Sequence, residues 1–149
     1  MKILVLGKRG QVARELQQFP NVFSIGSDIL DFRDLENCKK IILNIDADII
    51  INTAAYTNVE KAETQKKQAM IINCEAPSII AEIAAEKKIP FIHLSTDYVF
   101  GDSGDIPLKE EDKTNPLGAY GLSKYLGEEK IKKINSQYLI LRTSWIFSK

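Results

Sequence analysis

The 149-residue sequence predicts an α/β fold: a doubly wound parallel sheet with helices on both faces. Three observations predict it. Five short apolar runs carry β-branched residues, segments with helical periodicity separate them, and no hairpin signal joins one run directly to the next. Strands that alternate with helices are joined by right-handed crossovers, which make the strands parallel. The length and the 44% hydrophobic content fit one ordinary domain with its own core.

The first strand and the first helix lie within the first 20 residues. Residues 2–6 form a continuous apolar run, the pattern of a strand that is buried on both faces of a parallel sheet. Apolar residues then recur at helical spacing at Val12, Leu16 and Phe19, so this helix should end before Pro20.

Two further strands and a second helix follow. Short apolar runs at residues 22–25 and 48–51 predict the second and third strands, and a helical pattern starts between them at Asp34. The third strand leads into a segment of small and polar residues, 52–63, that precedes the next predicted helix.

The second half of the chain supplies the remaining elements. A long helical stretch is predicted from about residue 65 to 88, and Pro77 marks either a kink or a restart at a first helical position. The other predicted elements are a fourth strand at 90–94, the longest irregular loop at 101–119, a helix at about 119–134 and a fifth strand at 138–141.

Composition narrows the class of partner and the compartment. The 20 Lys and Arg residues balance 20 Asp and Glu residues, which argues against a nucleic-acid partner or an acidic membrane surface. No apolar run approaches the roughly 20 residues of a membrane helix, and the run at 3–6 is too short for a signal peptide. Cys38 and Cys74 lack metal-ligand spacing and are interpreted as small buried residues in a reduced compartment. We therefore expect a cytoplasmic protein.

The turn between the first strand and the first helix contains spaced glycines. Gly7 permits a tight turn, Gly10 lets a pyrophosphate approach the backbone, and Ala13 permits close packing of the helix on the strand. The helix N-terminus adds free N–H groups and a positive potential. This context predicts a Rossmann dinucleotide-binding turn, with a plain structural turn as the alternative. A Walker phosphate loop is excluded, because no Gly-Lys-Ser/Thr follows at the needed offset.

The end of the second strand bears on which dinucleotide would bind. An acidic residue there would accept a hydrogen bond from the ribose 2′-hydroxyl and repel a 2′-phosphate. This sequence has Gly26 and Ser27 at that point, with Asp28 following, while Lys8 and Arg9 lie in the adjacent turn. The pattern favours NADPH over NADH, unless the two cations are merely exposed turn residues.

A tyrosine and a lysine form the second chemical signal. Tyr120 and Lys124 are four residues apart near the start of a predicted helix, so they share one face. A free tyrosine has a pKa of about 10, and a nearby ammonium would bring that pKa toward working range. Thr96 follows Ser95 at the carboxyl end of the fourth strand, where open parallel sheets bind their ligands. The pattern predicts that Thr96 and the Tyr–Lys pair converge at a catalytic site.

A second set, His93, Ser95 and Asp97, contains the residue types of a catalytic triad. These residues alternate along one strand, so neighbours in the set are separated by roughly 6.6 Å of rise. That distance exceeds hydrogen-bond reach, which a triad requires. His93 is interpreted instead as a packed strand residue.

Six blocks of the sequence carry a family resemblance: GKRGQVARE, LDFRD, INTAAYTNVEKAE, STDYVFGDSGDIP, TNPLGAYGLSKYLGE and LILRTSWIF. Taken in this order, they resemble the dTDP-4-dehydrorhamnose reductases, which are extended short-chain dehydrogenases/reductases. The resemblance implies reduction of the 4-keto group of dTDP-4-dehydro-L-rhamnose with NADPH or NADH, giving dTDP-L-rhamnose for polysaccharide biosynthesis. Many family members also use Mg²⁺ and form homodimers, but no residue here can be assigned to a metal.

The resemblance assigns roles to residues of this sequence. Tyr120 would donate a proton to the developing C4 alkoxide, Lys124 would hold the nicotinamide ribose, and Thr96 would hydrogen-bond the reacting oxygen. The remaining matches are Gly10, Gln11 and Val12 at the pyrophosphate, Asp31 and Phe32 beside the adenine, Ala55, Tyr56 and Thr57 along the cofactor, and Asp97 and Trp145 at the sugar nucleotide. Core packing is an equally weighted alternative for Trp145.

The sequence departs from the family pattern in three ways. Ala13 replaces the third glycine, the acidic residue after the second strand is absent, and family members are roughly twice as long, as expected for two domains. We therefore expect residues 1–149 to be a dinucleotide-binding domain, with the C-terminal substrate domain absent from this chain. Two alternatives stay open: a non-catalytic regulatory subunit like that of methionine adenosyltransferase, and a related sugar-nucleotide epimerase or dehydratase.

Overall fold

A computed structural model describes residues 1–102, 104, 106–135 and 137–147. Within them a single five-stranded sheet has the order β2-β1-β3-β4-β5, and every pair of neighbouring strands is parallel. The strands are β1 (Ile3–Leu6), β2 (Val22–Ile25), β3 (Ile49–Asn52), β4 (Phe91–Thr96) and β5 (Tyr138–Thr143). The predicted parallel α/β sheet is confirmed, and β5 runs two residues further than predicted.

Six α-helices lie among the described residues. They are α1 (Gln11–Leu16), α2 (Leu35–Leu43), α3 (Val59–Thr64), α4 (Lys66–Met70), α5 (Ala76–Lys87) and α6 (Ala119–Ile134). Helices α2, α5 and α6 pack together and, with Leu4 and Leu6 of β1, form the main core. Val5 alternates to the opposite face of the sheet and is also fully buried, and α1 contacts this strand. The helices therefore cover both faces, as a doubly wound sheet requires.

The first helix is shorter than predicted. Helix α1 ends at Leu16, and Phe19, which the apolar spacing placed on its buried face, is 61% exposed. The prediction for Phe19 is wrong because the chain leaves the helix before a further turn can bring this ring back to the sheet.

The long predicted helix at 65–88 consists of three pieces. Helix α4 is followed by a π-helical segment, Ile71–Glu75, and then by α5, in which Pro77 lies in the first turn. Pro77 lies at the first or second position of α5, where the predicted restart placed it, but the backbone stays helical from Met70 to Ala76 and the Ala76 N–H donates to Ile71 O, so the chain does not leave the helix between the pieces. Helix α3 was not predicted. Its N-cap is Asn58, whose side chain accepts a hydrogen bond from Lys61 N–H.

The irregular loop predicted at 101–119 and the two predicted buried cysteines can be compared with the structure. Ser103 and Asp105 of the predicted loop lie outside the described residues, and its described residues form neither helix nor strand before Ala119. Cys38 and Cys74 are free and buried as predicted, and burial raises the pKa of the Cys38 thiol to about 11. Of the helices in the described ranges, none combines the length and the apolar character needed to cross a membrane.

Candidate active site

A cavity of about 570 Å³ opens at the carboxyl ends of the strands. Five parts of the chain contribute to it: the turn between β1 and α1, the segment after β3, the end of β4, the start of α6, and the residues after β5. The strand order changes direction between β1 and β3, and in open α/β sheets this switch point is where ligands bind. Of the predicted site residues, ten line this cavity: Gly10, Gln11, Val12, Ala55, Thr57, Thr96, Asp97, Tyr120, Lys124 and Trp145.

The glycine turn has the geometry that a bound phosphate group requires. Gly7 adopts φ +112°, and a Cβ there would lie 2.5 Å from Thr53 Oγ1, so only glycine fits. Gly7 shapes the turn without lining the cavity. Gly10 does line it, and a Cβ at Gly10 would meet no protein atom within 4 Å. The space beside Gly10 is therefore free for a ligand at the first turn of α1.

The cations of the turn lie next to the end of β2. A Cβ built on Gly26 would be 3.1 Å from Lys8 Cβ, so Lys8 packs directly against the position where an acidic residue would select NADH. Lys8 and Arg9 are both exposed. The Asp28 carboxylate lies at the same place, since a Cβ on Gly26 would be 2.6 Å from Asp28 Oδ1, so this end of β2 has an acidic and a basic side chain beside it.

Asp31 and Phe32 lie outside the cavity. Phe32 is 6% exposed and belongs to the main core, while Asp31 forms an ion pair with Arg33 at 2.6 Å. Hydrogen bonds from Arg33 lower the pKa of the Asp31 carboxyl. The placement of these two residues beside an adenine remains a prediction.

The segment after β3 is held by a residue that the sequence analysis missed. Asn73, fully buried in the π-helical segment, accepts from Tyr56 N–H at 2.8 Å and donates to Tyr56 O at 3.0 Å. The Tyr56 hydroxyl donates to Gln65 Oε1, so this side chain does not line the cavity, unlike Ala55 and Thr57. The signal for Asn73 was a polar amide in an otherwise apolar helical stretch.

Thr96 and Tyr120 meet where β4 ends. A Cβ at Gly121 would collide with the Tyr98 carbonyl oxygen, so glycine at this position allows α6 to approach the residues after β4. Burial raises the pKa of Tyr120, the polar Thr96 side chain close to the phenol lowers it, and the nearby Asp97 and Tyr98 raise it. The net direction is upward, so the Tyr120 phenol stays protonated.

Lys124 is buried at the base of the cavity, with 2% of its surface exposed. Its Nζ donates to Leu94 O at 2.6 Å. Burial lowers its pKa to about 8, against an opposing contribution from Glu128. The expectation that this lysine brings the Tyr120 pKa down is wrong for this structure, because Nζ bonds to β4 and burial dominates at Tyr120.

Trp145 lies at the rim of the cavity with 91% of its surface exposed and a left-handed backbone, φ +48°. Trp145 does not pack into the core formed by the described residues, and its contact with a sugar nucleotide remains a prediction. Its large ring is left open to a ligand that enters the cavity.

His93, Ser95 and Asp97 do not form a catalytic triad. His93 is fully buried, as predicted, while the Asp97 carboxylate accepts from Thr96 Oγ1 at 3.0 Å. Ser95 lines the cavity, and its buried hydroxyl has no hydrogen-bond partner among the described residues. A buried hydroxyl without a partner is costly, and the Ser95 oxygen itself is closed off from the open space of the cavity.

No group of three or more His, Cys, Asp or Glu side chains in the described ranges is placed to hold a metal ion.

Comparison with known proteins agrees with this arrangement. The family model described as the RmlD substrate binding domain matches residues 1–149. A dTDP-4-dehydrorhamnose reductase from Sinorhizobium fredii is 40% identical over 100% of this chain and 52% of its own length. The chain spans about half the length of the curated relatives it matches.

Two solved structures are similar throughout the chain. A dTDP-4-dehydrorhamnose reductase from Clostridium acetobutylicum has a TM-score of 0.93 at 36% identity, covering 99% of this chain and 54% of its own. The enzyme of the same name from Bacillus anthracis, in complex with NADP, has a TM-score of 0.90 at 32% identity, covering 100% and 56%.

Proposed function

Because the chain belongs to the RmlD substrate binding domain family, we propose that it forms the dinucleotide-binding part of an NADPH-dependent dTDP-4-dehydrorhamnose reductase. The observation that carries the proposal is the shared cavity: Gly10 at the first turn and Thr96, Tyr120 and Lys124 at the other end line one space. The names of the relatives and the NADP in the Bacillus anthracis structure support it.

The residues present fit such a dinucleotide. The open position at Gly10 leaves room for the pyrophosphate beside Gln11 and Val12, and the N–H groups of the first turn of α1 can donate to it. Lys8 and Arg9 are exposed cations of the turn, and we expect them to neutralise a 2′-phosphate and so to favour NADPH, with Asp28 beside Gly26 acting in the opposite direction.

When bound, the reduced nicotinamide supplies a hydride to a substrate carbonyl. Tyr120 donates the proton that the resulting C4 oxygen needs, and its raised pKa keeps that proton available at neutral pH. Thr96 hydrogen-bonds the same oxygen, and Lys124 holds the nicotinamide ribose. The chemistry of this chain is therefore proton donation and orientation at one carbonyl.

The sugar nucleotide would be contacted by Asp97 and Trp145. Both residues line the cavity, and Trp145 presents an exposed ring on which a planar or apolar group can rest. The relatives are about twice as long, and we expect much of their sugar-nucleotide pocket to lie outside the matched half.

The test is to add NADPH to the purified chain, first alone and then with dTDP-4-dehydro-L-rhamnose. Saturable binding followed by loss of NADPH absorbance, with dTDP-L-rhamnose formed, supports a reductase. Binding without turnover supports the cofactor-binding half or a regulatory subunit. Conversion of the sugar without net consumption of NADPH indicates an epimerase or dehydratase, and absence of binding contradicts the proposal.

A further inference from the structure

Three buried polar side chains form a row between the sheet and the cavity. Asn52 on β3 and His93 on β4 are fully buried register partners, and Lys124 on α6 lies beyond them. Asn52 Nδ2 is 3.1 Å from His93 Nδ1, and Lys124 Nζ is 3.2 Å from His93 Nε2. The proposed function uses Lys124 and leaves the other two residues without a role.

The backbone fixes the orientation of Asn52. Its Oδ1 accepts a hydrogen bond from the Ala54 N–H at 3.0 Å. A backbone N–H can only donate, so exchanging Oδ1 and Nδ2 would place two donors against each other in a fully buried site. Asn52 must therefore present its Nδ2–H to His93.

The orientation of Asn52 fixes the proton of His93 in turn. Nδ1 faces a donor and has to accept, so the neutral ring carries its hydrogen on Nε2. An imidazolium would bring N–H against N–H at Nδ1. Burial and the charge of Lys124 act in the same direction, because both lower the pKa of His93.

The Nε2–H group then points at Lys124. An ammonium has three donors and no lone pair, whereas an amine can accept from Nε2–H while it donates to Leu94 O. We propose that Asn52 and His93 are positioning residues: together they fix a hydrogen-bond donor against Lys124 Nζ and so favour the amine over the ammonium.

Other charged groups around this part of α6 affect the balance between the amine and the ammonium of Lys124 without reversing it. The titratable groups are Tyr120, Glu128 and Lys132 on α6, His93 on β4, Asp97 after β4, and Arg142 on β5. Glu128 raises the pKa of Lys124, but its carboxylate already binds Arg142 at 2.7 Å and lies 3.8 Å from Lys132 Nζ. Burial outweighs Glu128 and lowers the pKa of Lys124 to about 8.

This arrangement has a consequence that rests on the proposed function. An anionic dinucleotide beside Lys124 would raise its pKa, so binding should be accompanied by proton uptake near pH 8. Calorimetry in buffers of different ionisation enthalpy measures this uptake directly. The experiment on the row itself needs no dinucleotide, so the two proposals can fail separately.

The direct test is nitrogen NMR of the ring of His93 in the unliganded chain. His93 is the only histidine in the sequence, so one pair of ring signals reports on it. We expect the Nε2–H tautomer, with no titration through the ordinary histidine pKa of about 6.5. An Nδ1–H tautomer, or a ring that titrates near that value, overturns the proposal.

A variant extends the test to Lys124. Asn52→Asp offers an acceptor to Nδ1, so the ring proton should move there and leave the Nε2 lone pair for the ammonium. The pKa of Lys124, followed by the NMR signal of its Cε, should rise by at least about one unit. Asn44→Asp, at an exposed residue after α2, is the matched control and should leave this pKa unchanged.

Asn52→Asp adds a negative charge as well as changing the tautomer of His93, and either effect could raise the pKa of Lys124. A second pair of variants, both carrying His93→Leu, separates the two effects. In His93→Leu the Asn52→Asp change can act on Lys124 only through charge, so the rise in pKa should be clearly smaller. An equal rise in both backgrounds, or no rise in either, overturns the proposal. If the variants do not fold, the tautomer of the unmodified chain still decides it.

Discussion

Tyr120 has a phenol that burial keeps protonated, and it lines the same cavity as Thr96. In a form of the protein that turns over the nucleotide sugar, Tyr120→Phe removes the hydroxyl that is the proposed proton donor and keeps the aromatic ring. We expect kcat to fall by on the order of 10²–10⁴ with the dissociation constant for NADPH nearly unchanged. Steady-state kinetics and calorimetry measure the two effects.

The matched control for this prediction is Tyr125→Phe. Tyr125 is on the same helix but does not line the cavity, so its hydroxyl should not matter to the rate. A Tyr120→Phe variant that keeps its rate would show that another group supplies the proton.

The lowered pKa of Lys124 predicts how the stability of the fold depends on pH. Its pKa in the folded chain is about 8, below its ordinary value of 10.5, so between these values the unfolded chain binds more protons. The contribution of Lys124 to the free energy of unfolding should therefore rise across this range, by up to about 3 kcal/mol.

The rise should disappear in Lys124→Met and persist in Lys133→Met, which changes an exposed lysine of the same helix. Urea denaturation at several pH values gives the difference between each variant and the unmodified chain. If Lys124→Met keeps the rise, the lysine is not titrating where the structure indicates.

The sequence predicted the place of those site residues that are close together along the chain. Tyr120 and Lys124 share a helix face by their separation alone, and both line the cavity. Asn73 and the pairing of Asn52 with His93 join residues 17 and 41 positions apart, and no local pattern reports such contacts. The exposure of Trp145 was not predictable either, because the pattern of residues around it also fits a packed strand end.

Among the elements, the turn from β1 into α1 carries the clearest prediction. Gly10→Val adds side-chain bulk where a Cβ meets no protein atom, so the fold should tolerate it, with a change in unfolding free energy below about 1 kcal/mol. The same bulk occupies the space proposed for the pyrophosphate. Hydrogen bonds to charged groups are each worth about 1.5–3 kcal/mol, so NADPH affinity should fall by about tenfold or more.

Gly10→Ala is the graded control for this change. Its smaller side chain should weaken NADPH binding less than valine does, with unfolding midpoints close to that of the unmodified chain. Tight binding by Gly10→Val would place the pyrophosphate elsewhere and remove the turn from the site.

The elements with strong periodicity were predicted well, and the irregular ones were not. Helix α6 and all five strands appear where apolar patterns placed them. Helix α3 was missed because a short polar helix depends on its Asn58 cap and on its neighbours, not on an apolar stripe. The π-helical segment at Ile71–Glu75 has no sequence period of its own, and the pattern continued through it as one helix.

For the whole molecule, strand order is what creates the site. The sequence predicted parallel strands, but their order β2-β1-β3-β4-β5 follows from crossovers that a linear pattern does not specify. That order places the glycine turn next to β3 and one strand away from β4, so Thr96 and α6 reach the same cavity. The oligomeric state remains a prediction from the family resemblance.

The glycine turn and the Thr96–Tyr120–Lys124 cluster should belong to one dinucleotide site, since both line one cavity. Titration of the isotope-labelled chain with NADPH, followed by backbone amide NMR, tests it directly. We expect the amides of Gly10, Gln11, Thr96, Tyr120 and Lys124 to shift together along one saturation curve, while those of exposed residues in α2 stay in place. Shifts confined to one of the two groups, or no saturable shift at all, would contradict the account.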